Sequence, residues 1–126
     1  MKIELITLCE GAFNTNGRLT IVNTIDDILA KSFPWKAALG LALKIGIPAE
    51  EKGTHDLSVS FTTEDGSSVL HNLTASFTMP FDGMDGHLVV ATNIQGLSFT
   101  KSGRYFVDIT IDKELLHRLG FRVIQN

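Results

Sequence analysis

The sequence predicts an all-β fold: a two-layer antiparallel β-sandwich of about seven or eight strands, in one domain spanning residues 1–126. Three observations predict it. Val, Ile, Thr, Phe, Tyr and Trp supply 40 of the 126 residues and proline only three, a mixture suited to pleated, half-buried strands. Several segments alternate apolar and polar side chains with the two-residue period of a strand that buries one face. Turn signals rich in Gly, Asn and Asp separate these segments. A chain of this length hides roughly two thirds of its unfolded surface, so the core needs no disulfide or structural metal.

IELITLC and LTIVNT are expected to form the first hairpin. Asn16-Gly17 between them suits a tight turn with positive backbone dihedrals. The intervening EGAFNTNGR exceeds a two-residue loop, which calls for a bulge or for pairing that continues through Ala12 and Phe13. IDDILAKSF, residues 25–33, reads as a short turn or edge segment, because so short a helix is unstable on its own. Trp35, after Pro34, is placed to cover one end of the core. In KAALGLALKIGI, Leu39, Leu41, Leu43, Ile45 and Ile47 share one face against Gly40, Ala42, Lys44 and Gly46. That alternation and the two glycines select a central strand over a helix. Pro48 ends it, and PAEEKG becomes an exposed connection.

THDLSVSFTT sets Leu57, Val59 and Phe61 on one face, and NLTASFTM sets Leu73, Ala75, Phe77 and Met79 together. These two strands pair through EDGSS, whose Asp65-Gly66 supplies the turn. HLVVATNI places Leu88, Val90 and Ile94 opposite Val89 and Ala91, with both faces partly buried. After Gly103, Tyr105, Val107, Ile109 and Ile111 face away from Phe106, Asp108 and Thr110. IDKELLHRLGFRVIQN turns near Asp112 and Lys113 and continues extended to Phe121, Val123 and Ile124. Leu115, Leu116 and Leu119 also fit a helical spacing, and the extended reading is preferred.

The charge balance, 11 basic against 14 acidic residues for a net −3, gives no large positive field. The basic residues are scattered, so no nucleic-acid partner is expected. No apolar run approaches a membrane span and no secretory signal is recognised, so no membrane association and a cytoplasmic location are expected. The one cysteine, Cys9, reads as a small buried hydrophobe and excludes an intrachain disulfide.

Chemistry is sparse. No nucleophile elbow, P-loop or dinucleotide fingerprint is present, and no catalytic residue and no cofactor are expected. His55, His71, His87 and His117 lack metal-site spacing and read as structural or exposed. Asp82 and Asp85 in PFDGMDG are the candidate metal ligands, since calcium takes hard oxygen donors from flexible loops. Other acidic residues would have to converge on them. The NLT at Asn72 matches a glycosylation acceptor, but it is discounted without a secretory route. Trp35 and Tyr105 are the candidate ligand-binding residues, and the outward pair Val89 and Ala91 is the candidate interface.

The strand ending in EGAF, then NGRLTIVNTIDDI, SFPW, THDLSVSFTTEDG and GRYFVDITIDKELLHRLGFRV, in that order, resemble an uncharacterised family of small, mostly bacterial β-sandwich proteins. The resemblance covers nearly the whole chain, with Leu119-Gly120 standing where similar sequences carry a proline. It implies a compact sandwich and carries over no active or ligand-binding residue. The reading of function is therefore a non-catalytic protein-interaction or assembly domain, not an enzyme, with a homodimer or another protein as partner. The alternative is a small-ligand or carbohydrate-binding sandwich, in one version calcium-dependent.

Overall fold

The structure, a computed structural model, describes residues 1–126 and holds nine strands and one 3-10 turn. The strands are β1 (Lys2–Thr15), β2 (Arg18–Ile25), β3 (Asp27–Ala30), β4 (Trp35–Ile47), β5 (Gly53–Thr63), β6 (Val69–Met79), β7 (Gly86–Phe99), β8 (Gly103–Ile111) and β9 (Glu114–Gln125). One sheet has the order β2-β1-β4-β7 and the other β3-β9-β8-β5-β6. The two layers form the all-β sandwich that alternation predicts. No helix is long and apolar enough to cross a membrane.

Two features differ from the expected architecture. The strand count is nine, because IDDILAKSF contributes the edge strand β3, whose four residues are too short for alternation to announce. That strand also runs parallel to β9, so the sandwich is not wholly antiparallel. The chain leaves the first sheet at Ile25 and joins the second beside the C-terminal strand. There Arg122 donates two hydrogen bonds of 3.0 Å to Asp27 and pins the crossover.

The core fills the space between the inner faces. Leu39, Leu41, Leu43, Ile45 and Ile47 of β4 are all buried, as are Leu57, Val59 and Phe61 of β5 and Tyr105, Val107, Ile109 and Ile111 of β8. Each fully buried aliphatic or aromatic side chain contributes about 1.5–3 kcal/mol, and β4 and β8 lie inside their sheets, so their whole inner face counts. At one end Phe61, Phe99, Tyr105 and Phe121 interlock, with Phe99 edge-on to Tyr105 at 5.0 Å. Trp35 pairs with Phe99 across β4 and β7 and half-covers that end. The expected burial of Leu73 to Met79 is only partial: Leu73, Phe77 and Met79 are half-buried and Ala75 is exposed. β6 is an edge strand, and no strand of the first sheet extends past β7 to cover it.

The first hairpin does more than pair. Asn16 and Gly17 both take positive φ, 52° and 79°, so β1 and β2 join through a two-residue turn with pairing down to Thr15 and Arg18. β1 pairs β4 only as far as Cys9. Beyond it the hairpin crosses the outer face of its own sheet as an arm. The Asn93 side chain on β7 receives the Ala12 N–H at 3.0 Å and donates to the Ala12 carbonyl at 2.9 Å. Beneath the arm Cys9, Ala12 and Ala42 form a second small core, edged by Leu19, Ile21 and Ala91. Gly40 permits the approach: a Cβ there would stand 2.9 Å from both the Cys9 Sγ and the Asn93 Oδ1.

Candidate functional site

The β6 and β7 edges lie across from each other and form one flank of the sandwich. From Val69 to Phe99 the only formally charged side chains are Asp82 and Asp85, both in the loop between the two strands. Leu73, Phe77, Met79, Leu88 and Val90 reach the core from this side without being sealed in. Three of the most exposed large apolar side chains stand at its ends: Val69 at 60%, Phe81 at 79% and Met84 at 68%.

Edge strands normally carry protection against pairing with another chain. β3 is four residues long and bears Asp27; β2 bears Arg18 and is interrupted by Asn23 at a φ of 47°. β7 carries an irregularity opposite Ala37 and Leu39. β6 has none of these over most of its length. Its register with β5 runs unbroken from Gly53 opposite Met79 to Phe61 opposite His71. A polar ladder stiffens its outer face: Ser58 and Ser60 donate to the Asn72 Oδ1, Ser76 donates to Asp56, and Thr54 pairs with Thr78. The result is a straight strand whose second row of backbone N–H and C=O groups is open.

The residues singled out in the sequence fall elsewhere or do other work. Tyr105 is 2% exposed, and its hydroxyl donates to the Lys101 carbonyl at 2.6 Å. Together with half-buried Trp35 it closes the core rather than presenting a ligand platform. Asp82 accepts the Met84 N–H and sits 3.6 Å from the Lys52 Nζ, while Asp85 accepts the Ala49 N–H. The Met84 N–H and the Lys52 charge hold the Asp82 carboxyl below its usual range. Their lone pairs serve the loop, and Asp27, Asp65 and Asp112 are bound to other partners, so the acidic loops do not converge. Lys52 departs from the exposed connection expected for PAEEKG: its side chain is buried beneath the β6–β7 loop. Ala91 lies under the hairpin arm and Val89 is half-buried beside Lys44. Both faces of this strand are partly buried, as expected, and Val89 and Ala91 form no exposed apolar patch to serve as the candidate interface.

One polar constellation emerges only in three dimensions. His55 on β5 engages the Asp112 carboxylate through Nδ1 at 2.6 Å and the Glu51 carbonyl through Nε2. They line a cleft of about 490 Å³ with Glu50 and Glu114. Both partners are acceptors, so both ring nitrogens donate at once only in the protonated ring, and the arrangement favours the imidazolium. Its pKa is accordingly raised, first by the Asp112 hydrogen bond, and that of Asp112 is lowered by the same contact. A general base needs a free lone pair within reach of substrate. His55 has none, and it works as a clamp between the 3-10 turn and the β8–β9 turn.

The signal for the flank was present in the sequence as the charge-poor stretch from Val69 to Phe99. PFDGMDG drew attention for its aspartates, whereas Phe81 and Met84 are the residues it exposes.

Residues 4–124 match the model of a family described as of unknown function, DUF6941. No curated protein matches. Among solved structures, an immunoglobulin-like protein from Pseudomonas aeruginosa is 15% identical over 98% of this chain and 95% of its own, with a TM-score of 0.49. An alkylpurine DNA glycosylase from Pseudomonas fluorescens, bound to DNA containing an abasic site analog, is 14% identical over 94% of this chain and 30% of its own, with a TM-score of 0.44. Both are likenesses of fold alone.

Proposed function

The chain belongs to the DUF6941 family of unknown function, and from that premise we propose that it is a non-catalytic interaction domain that joins a protein partner along the β6/β7 flank. The observation that carries this reading is the open, uncharged β6 edge bordered by half-buried apolar side chains. Strand addition at such an edge supplies main-chain hydrogen bonds, and the exposed alternate side chains supply selectivity. The absence of Lys, Arg, Asp and Glu from both edge strands lowers the desolvation cost of covering them. An unpaired, buried Cys9 suits a reducing compartment, which fits a cytoplasmic site of action.

The test is recovery of the native complex from the source cells with the wild-type chain and with Ala75→Lys. Ala75 is exposed on the inward side of β6, so the substitution places a charge in the joint while leaving the monomer core intact. The reading expects a defined set of bound chains that the variant loses while it still unfolds cooperatively. The same set on both proteins would refute it.

A further inference from the structure

We infer that Asn16, at the tip of the hairpin arm, is a site of spontaneous deamidation, and that the Asn14 side chain guards it by holding the Gly17 N–H.

Conversion of an asparagine begins with its own backbone. The amide nitrogen of the next residue loses its proton to solvent hydroxide and attacks the side-chain Cγ. A bond forms from that nitrogen to Cγ, the Cγ–Nδ2 bond breaks, and the amide group takes a proton from water and leaves as ammonia. Water then opens the five-membered imide. Cleavage of the N–Cγ bond gives aspartate, and cleavage of the bond from the same nitrogen to the main-chain carbonyl carbon gives isoaspartate. The sum is asparagine plus water giving either acid plus ammonia, with no further reagent.

Three observations single out Asn16. It is the only one of the six asparagines followed by glycine, whereas Asn14, Asn23, Asn72 and Asn93 precede threonine, leucine or isoleucine, whose side chains crowd the attacking nitrogen. Its carboxamide is exposed and makes no hydrogen bond, while the side chains of those four are all tied up in hydrogen bonds. The nucleophile is open to solvent as well: nothing stands within 4 Å of the place a Cβ on Gly17 would take.

The fold opposes the reaction at two points. The Gly17 N–H donates to the Asn14 Oδ1 at 2.9 Å, so deprotonation loses that bond and sets the resulting anion against a carbonyl oxygen. The turn, with φ of 52° at Asn16 and 79° at Gly17, also holds the peptide plane between them with an Asn16 ψ of about +30°. Ring closure swings that plane well out of the turn, and the pairing of Thr15 with Arg18 resists the swing. Deamidation therefore draws on the small population in which the arm tip is frayed.

Incubation at mildly alkaline pH, followed by mass spectrometry of the proteolysed chain, reads the exchange of NH2 for OH at each asparagine. Asn16 should convert first, and at least about tenfold more slowly in the folded chain than in urea. Asn14→Ala should raise the folded-state rate about fivefold, the worth of one net hydrogen bond. Asn14→Asp, whose carboxylate accepts the same N–H, should stay at or below the wild-type rate. In urea all three chains should convert alike, which assigns the difference to the fold. The Cys9 thiol should react no faster in Asn14→Ala than in wild type, since the arm stays seated. Earlier conversion of another asparagine overturns the inference, as does a folded wild-type chain that converts as fast as the unfolded one. Asn14 is refuted as the guard if Asn14→Ala converts at the wild-type rate, if Asn14→Asp converts as fast as Asn14→Ala, or if Cys9 reactivity rises together with deamidation.

Discussion

At the scale of single residues, the chemistry of this protein is concentrated in clamps rather than in reactive groups, and His55 is the most informative of them. Its imidazolium is held between Asp112 and Glu51, and the pair sets a pH window. A pKa raised in the folded state means that the clamp stabilises fully below the unfolded value, near 6.5, and is lost as pH rises through the folded value. Asp112 acts with the opposite sign: its contribution is present above the ordinary carboxyl value and is lost as pH falls through its depressed one. The clamp is therefore strongest between about pH 4 and 6.5. His55→Gln should lower stability by about 1 kcal/mol at pH 6, a value kept small because half of Asp112 is in water. The difference from wild type should shrink as pH rises to 9, as measured by urea unfolding at each pH. A constant difference across that range would assign His55 a packing role, against the tilted ring of Phe77 at 5.6 Å, instead of an ionic one.

The hairpin arm is the element with the clearest consequence for dynamics. It is held by the two Asn93–Ala12 hydrogen bonds and by a small apolar patch, a weaker attachment than the main core provides. The Cys9 thiol reports on it directly, since it is fully buried beneath the arm and burial raises its pKa. Asn93→Ala leaves the Ala12 N–H and carbonyl without their partner, at a cost of about 1–3 kcal/mol. A thiol reagent should then modify Cys9 at least about tenfold faster than in wild type, since 1.4 kcal/mol in the opening equilibrium is tenfold. Unchanged reactivity would mean that the arm does not depend on Asn93. Much of this was legible in advance. The Asn16-Gly17 turn and continued pairing through Ala12 and Phe13 follow from local turn chemistry, and the central place of β4 follows from its two-residue period. The crossing of the arm over its own sheet does not, because Asn93 is 81 residues away from Ala12 and no local pattern marks so distant a contact. The parallel β3 was hidden for a related reason: four residues carry too few alternations, and their pairing with β9 joins opposite ends of the chain.

For the whole molecule, the decisive property is where charge is absent. Alternation identifies which face of a strand is buried, yet it is blind to whether that strand lies inside a sheet or at its margin. That is why Leu73 to Met79 read as core when strand order makes them an open flank, and why nothing in the alternation announces the arm over Ala91. Once the order is known, the stretch from Val69 to Phe99 explains how a chain with 25 charged residues leaves two adjoining edges without any. This distribution has a measurable consequence. Association through charged patches weakens steeply with salt, because the Debye length falls from about 10 Å at 0.1 M to about 3 Å at 1 M. A joint of main-chain hydrogen bonds and apolar side chains along β6 and β7 has no charge pair to screen, since neither strand carries Lys, Arg, Asp or Glu. The dissociation constant of the partner complex should therefore change less than about twofold between 0.1 and 0.5 M sodium chloride. Sodium sulfate should tighten the complex, since excluded salts favour apolar burial. Binding of the recovered partner measured across the salt series decides the point: a dissociation constant that rises steeply with sodium chloride would place the contact on charged residues, away from β6.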